Sequence, residues 1–109
     1  ERVVLKMATP IEGLIHPRGD VDHFTLDVKA PTLDETRILT IRLTGVDGLS
    51  LTAALFDEEK AMITKKSGIG PGIKTITHGF TPGRYYIRIR EDTGTASNAT
   101  VPYTLEVTD

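Results

Sequence analysis

Apolar residues recur in this chain at every second position, and that period constrains the fold more than any other feature. Phe24, Leu26 and Val28 share one parity, with Thr25 and Asp27 between them. Leu39, Ile41 and Leu43 repeat the pattern, and so do Leu49, Leu51, Ala53 and Leu55. Tyr85, Ile87 and Ile89 alternate with Tyr86, Arg88 and Arg90, and Tyr103, Leu105 and Val107 with Thr104, Glu106 and Thr108. Side chains of a strand point alternately to opposite faces, so each run describes a strand with one buried and one wet face. Weaker strands are expected near Ile11–Ile15, Ala61–Lys65 and Ile73–Thr77. No stretch holds apolar residues at three and four spacing for long enough to make a helix. "DEEKAMITKK" contains helix formers, but Phe56 before it and Ile63 within it suit a hairpin better.

Turn chemistry separates the runs: Pro17-Arg18-Gly19-Asp20, Gly45-Val46-Asp47-Gly48, the Gly68–Gly72 stretch, and Thr81-Pro82-Gly83. Glycine supplies positive φ and proline blocks ladder pairing. About eight short strands with turns every ~8–12 residues predict an all-β fold, an antiparallel β-sandwich. The expected core is Phe24, Leu26, Val28, Leu39, Ile41, Leu43, Leu51, Leu55, Tyr85, Ile87, Leu105 and Val107, with a partner needed for each hydroxyl of Tyr85 and Tyr103. "GIGPG" lacks the Lys-Ser/Thr of a phosphate loop and reads as a long, flexible hairpin connection. The polar segment Asp92–Thr100 is expected to be the most mobile.

At 109 residues the chain suffices for a single domain, 1–109. It contains no cysteine, hence no disulfide and no thiolate metal site. The net charge of −2 excludes the electrostatic footprint of a nucleic-acid binder. No apolar run approaches the ~20 residues of a spanning helix, so membrane insertion is not expected. The first residue is Glu1 rather than Met, which is expected either of a piece of a longer protein, its export signal upstream, or of a processed N-terminus.

Three stretches in order resemble a known family. "IEGLIHPRGDVDHFTLDV" has its Gly-containing strand, short turn and Gly-Asp-x-Asp lead into an aromatic strand. "LTGVDGLSLTAALFD" is similar to its middle strand pair, and "TPGRYYIRIR" with "VPYTLEV" to its closing hairpin. Together they resemble a bacterial pre-peptidase C-terminal domain. That resemblance implies a jelly-roll-like sandwich, non-catalytic, appended to secreted or surface proteins, often peptidases. A related group in clostridial collagenases binds collagen and calcium. Its calcium site uses an acidic N-terminal linker and aspartates in the turn before the aromatic strand. Asp20 and Asp22 occupy that turn here, whereas the linker "ERVVLKMATP" offers only Glu1, and "DEEK" lacks the glycine usual in its hairpin.

The residues themselves leave several roles open for Asp20 and Asp22. Asp22 has the parity of Phe24, so it points inward at the rim and must find donors. Turn N–H groups, a basic neighbour or a calcium ion would serve, local hydrogen bonding being the commonest role of a turn aspartate. Asp20 is expected to be the more exposed of the two. The histidines His16, His23 and His78 are scattered, with no metal spacing, and read as surface residues. None of Ser50, Ser67 and Ser97 lies in a nucleophile elbow, so no enzyme is expected. The outward stripe Tyr86, Arg88, Arg90 is the candidate binding surface, since tyrosine and arginine anchor interfaces. Its ordinary reading is a solvated face with the arginines paired to cross-strand acids such as Glu106.

Function is therefore expected in one of two classes. One is an accessory module of an exported bacterial protein, secreted, periplasmic or at the cell surface, binding an extracellular protein or polysaccharide. The other is a structural, maturation or spacer domain whose only partner is the adjacent domain of its parent chain. A monomer without a required cofactor fits both.

Overall fold

In the computed structural model, residues 3–16, 19–29, 35–94, 96–98 and 100–109 are described. The turn residues Pro17 and Arg18, the linker residue Glu1 and parts of the 92–100 loop lie outside them. The described residues form nine strands and no helix: β1 (Val3–Val4), β2 (Ile11–Gly13), β3 (Val21–Val28), β4 (Arg37–Thr44), β5 (Ser50–Phe56), β6 (Met62–Ile69), β7 (Ile73–Phe80), β8 (Gly83–Glu91) and β9 (Tyr103–Thr108). They make two sheets, one in the order β1-β3-β8-β5-β6 and one in the order β2-β9-β4-β7. All pairs are antiparallel except β1 with β3, where two residues of the N-terminal segment run parallel to Phe24 and Thr25. That short addition is the strand the alternation does not show, because two residues carry no period.

The inward parities of the two sheets meet in one core. Phe24, Leu26, Val28, Leu39, Ile41, Leu43, Leu51, Leu55, Ile87, Leu105 and Val107 are all buried. The expected core also included Tyr85, but it is half-buried: its ring stands edge-on to Phe80, centroids 4.7 Å apart, and its hydroxyl donates to the Thr81 carbonyl at 2.8 Å. A tyrosine two residues from the strand's start keeps its polar tip at the rim while the ring packs. Phe80, Ile15 and Ile89 fill the interior beside the expected set.

Between β5 and β6 the chain makes the hairpin expected of "DEEK". Asp57 Oδ1 accepts from the Ala61 N–H at 2.9 Å, and Lys60 takes φ 65°, the left-handed position a glycine would fill without strain. The Gly68–Gly72 stretch departs from expectation. It does not close a hairpin but carries the chain from one sheet to the other, since β6 and β7 belong to different sheets. Lys74 holds this crossing: it has the inward parity of Ile76 and Phe80, is 8% exposed, and donates to the carbonyls of Gly70 (2.8 Å) and Gly72 (3.1 Å). Burial lowers its pKa from the ordinary lysine value.

Candidate functional site

Two regions carry the polar residues singled out in the sequence: the corner where Asp22 meets Tyr103, and the outer face of the five-stranded sheet.

Asp22, on β3, opposes Ile89 of β8 and points inward at the sandwich's end, as its parity requires. Among the described residues its donor is neither a turn amide nor a base. It is the hydroxyl of Tyr103, from the opposite sheet, 2.5 Å from Asp22 Oδ2. Tyr103 is wholly buried, and its ring lies over Gly13, its neighbour in the β2–β9 ladder. A Cβ at Gly13 would stand 2.4 Å from the Tyr103 hydroxyl and 2.5 Å from the ring carbon that bears it. The three stretches that looked alike to one family thus converge: the glycine of "IEG" makes room for the tyrosine of "VPY", which bonds the aspartate of "GDVD". Burial pushes the Asp22 pKa up, the Tyr103 hydrogen bond opposes this, and the Asp20 charge adds to it; the net shift is upward. Burial and the adjacent carboxylate likewise raise the Tyr103 phenol. Asp20 is half-buried, as is Asp22.

Glu91 closes the same end of the sandwich from β8. It has the inward parity of Ile87 and Ile89 and is 5% exposed. Its Oε1 accepts from the amides of Thr93 (3.0 Å), Gly94 (3.0 Å) and Ala96 (3.4 Å), and its Oε2 from Ser50 N–H at 3.3 Å. Burial raises its pKa, but hydrogen bonds from Thr93, Ser50 and Ala96 outweigh this and the net shift is downward. Asn98 Oδ1 similarly accepts from the amides of Thr100 and Val101, each at 2.9 Å. The loop expected to be loosest is therefore tied, in its described residues, by two side chains. Glu91 and Lys74 escaped the sequence reading. The signal for both was a charged residue at an inward-facing position of a strand end.

The outer face carries the stripe Tyr86, Arg88 and Arg90 along β8, as its parity indicates. Glu106 is not among its neighbours, as was expected: it sits on β9 in the other sheet, opposite Arg42. The residues opposite Arg88 are His23 on β3 and Ala54 on β5, and those opposite Arg90 are Val21 and Thr52. Arg88 instead lies over the ring of Phe56, 5.0 Å from its centroid, and Lys60 Nζ lies 5.5 Å from that of Tyr86. The Arg88 Nε is buried without a hydrogen-bond partner among the described residues. Among the described residues the ion pair on this face is Arg84 with Asp27, at 2.8 and 3.2 Å. Asp92 accepts from Ser50 Oγ at 2.6 Å and from Thr52 Oγ1.

His16 and His23 are exposed; His78 is half-buried, edge-on to Phe80 at 4.9 Å. Among the described residues no three histidine, aspartate or glutamate side chains gather as metal ligands would.

A nine-stranded sandwich with a tyrosine–aspartate tie at one end and a basic outer face places this chain among small all-β modules. Its fold is that of a pre-peptidase C-terminal domain. The crystal structure of the pre-peptidase C-terminal domain of a collagenase from Bacillus anthracis superposes with a TM-score of 0.77 at 18% identity, over 98% of this chain and 94% of that one. A cycloisomaltooligosaccharide glucanotransferase from Paenibacillus sp. matches at a TM-score of 0.47 and 17% identity, over 84% of this chain and 13% of its own length. No protein-family model matches the sequence, and no curated protein sequence does.

Proposed function

We propose that this chain is a non-catalytic accessory domain of a secreted or surface bacterial protein, and that it binds an extracellular protein or polysaccharide through the outer face of its five-stranded sheet. The observation that carries this reading is the stripe on β8. Tyr86, Arg88 and Arg90 stand on a face that no strand of the second sheet covers, and neither arginine has an acidic partner among the described residues. Tyrosine and arginine in such a setting are the residues that anchor interfaces. The likeness to a collagenase's accessory domain supports the class. Covalent linkage to the adjacent domain of a longer exported chain, and action as a monomer, complete the proposal.

The Asp20–Asp22 turn is proposed to be structural. Calcium wants ~6–8 oxygens. Here one Asp22 oxygen is engaged by Tyr103, and among the described residues no third acidic side chain joins the two. Isothermal titration should show no tight calcium binding. Stoichiometric binding that disappears in Asp22→Ala would reverse this assignment.

Binding is tested by sedimentation with insoluble extracellular proteins and polysaccharides. The wild-type domain should co-sediment with one of them, and R88E/R90E should not, with its melting temperature unchanged. Equal binding by the double variant would reject the face. No binding by either would reject the binding function and leave a spacer or maturation role.

A further inference from the structure

The chemistry of that outer face narrows what it can hold. His23, Arg88, Ala54 and Lys65 lie in register across four strands, β3, β8, β5 and β6. Strands sit ~4.8 Å apart, so this row spans about 14 Å. Arg90 follows Arg88 along β8, and Lys60 overhangs from the β5–β6 hairpin. Among the described residues, Asp27 on the same face is engaged by Arg84, and Asp92 by Ser50 and Thr52. The chain as a whole carries a net charge of −2, so the basic band is segregated rather than part of a basic surface. His23, Phe56, Lys60, Tyr86 and Arg88 also border a groove of about 230 Å³. That is smaller than the ~300–1,000 Å³ of a small-molecule site and suits one side chain.

Resting on the reading of this face as the binding surface, we propose that it docks an extended, carboxylate-rich peptide segment of a partner protein. Two features favour a peptide over an acidic glycan. An extended chain presents alternate side chains every ~7 Å, the same repeat that separates Arg88 from Arg90 on their strand. The rings that a sugar would stack on are already covered, Tyr86 by Lys60 and Phe56 by Arg88. One carboxylate enters the groove between Lys60 and Arg88, and the next meets Arg90. Charge-assisted pairing with arginine forks sets the register.

The test is a heteronuclear NMR titration of the labelled domain with three probes: a short alternating Glu-Ser peptide, its Gln-Ser counterpart, and an oligogalacturonate. The Glu-Ser peptide should shift amides of residues 23, 54, 65, 86, 88 and 90, with affinity falling as salt is raised. R88E/R90E should weaken it by about tenfold or more. Lys65→Glu, on an exposed edge position, should weaken it severalfold and stands in if the double variant is perturbed. Equal shifts from the Gln-Ser peptide, no shifts on this face, or tighter binding of the oligogalacturonate would each overturn the proposal. If the wild-type domain still co-sediments with an extracellular polymer while R88E/R90E does not, only the acidic-peptide assignment fails and the face stands.

Discussion

Replacing Asp22 by alanine removes the acceptor of a hydroxyl that belongs to a fully buried residue. An unsatisfied buried donor costs about 1–3 kcal/mol. Asp22 is only half-buried, so its truncation lets water approach the rim, and the expected loss sits in the lower half, about 1–2 kcal/mol. For a domain of this size each kcal/mol lowers the melting temperature by roughly 4–8 °C. Tyr103→Phe removes the other partner, and the double variant leaves neither group waiting. It should be less destabilised than the sum of the single changes by about 1 kcal/mol. Urea unfolding followed by circular dichroism reads all four corners of the cycle. An Asp22→Ala loss below about 0.5 kcal/mol, or strictly additive single effects, would refute the claim that this bond ties the sheets together.

The same residue makes a pH prediction with a definite sign. Burial raises the Asp22 pKa in the folded chain above its ordinary value of 3.8. The folded state therefore holds this proton more tightly than the unfolded state does. Its contribution to stability is full below the unfolded value and is lost as pH rises through the folded one. Asp22→Asn keeps an oxygen for Tyr103 and cannot titrate. The stability of wild type minus that of Asp22→Asn should fall as pH rises from acid towards neutrality, and a difference independent of pH would refute the shift.

Glu91 gives the opposite sign. Its folded pKa is lowered, so its contribution is present above the unfolded value and lost as pH falls through the folded one. Glu91→Ala should cost about 2–4 kcal/mol by orphaning the amides it caps, with faster hydrogen exchange at Thr93 and Gly94. Protection unchanged at those amides would count against it. Gly13→Ala should destabilise by about 1–3 kcal/mol or more, because the new methyl would overlap a tyrosine ring that has nowhere to move. Thermal melting checks it, and a wild-type melting temperature would show that the ring is not held there.

Much of this architecture was legible because alternation is a local signal. Phe24, Leu39, Ile87 and Leu105 announce their faces to any reader of two-residue periods, and they are buried as announced. Tertiary choices were not local. Nothing near Gly68–Gly72 says that the chain changes sheets there, since a crossing and a hairpin use the same glycines. The partner of Asp22 was invisible for the same reason: Tyr103 lies 81 residues away. Parity still pointed both inward, so the pair was an arithmetical consequence of two readings made separately. Glu106 shows the converse error. Alternation gives the face of a residue, not the strand that neighbours it, and the arginines of β8 proved to have His23, Ala54, Val21 and Thr52 beside them.

The division of labour between the two regions follows from what each sheet must bury. Charged groups that point inward at strand ends, Asp22, Lys74 and Glu91, are each met by backbone or phenol partners, because an inward charge without them would cost more than a marginal fold can spare. Those groups are consumed by the fold and have little left for a ligand. The outer stripe is under less of that demand. Arg88 is half-buried, its Nε enclosed and its guanidinium on the Phe56 ring, and Arg90 faces water, where an unpaired guanidinium carries no desolvation penalty until something displaces that water. A partner bringing carboxylates supplies the missing acceptors as it does so. The wet side of β8 is thus where this sandwich can hold unmatched charge without losing stability. The inward-facing corner, for all its short hydrogen bonds, is where it cannot.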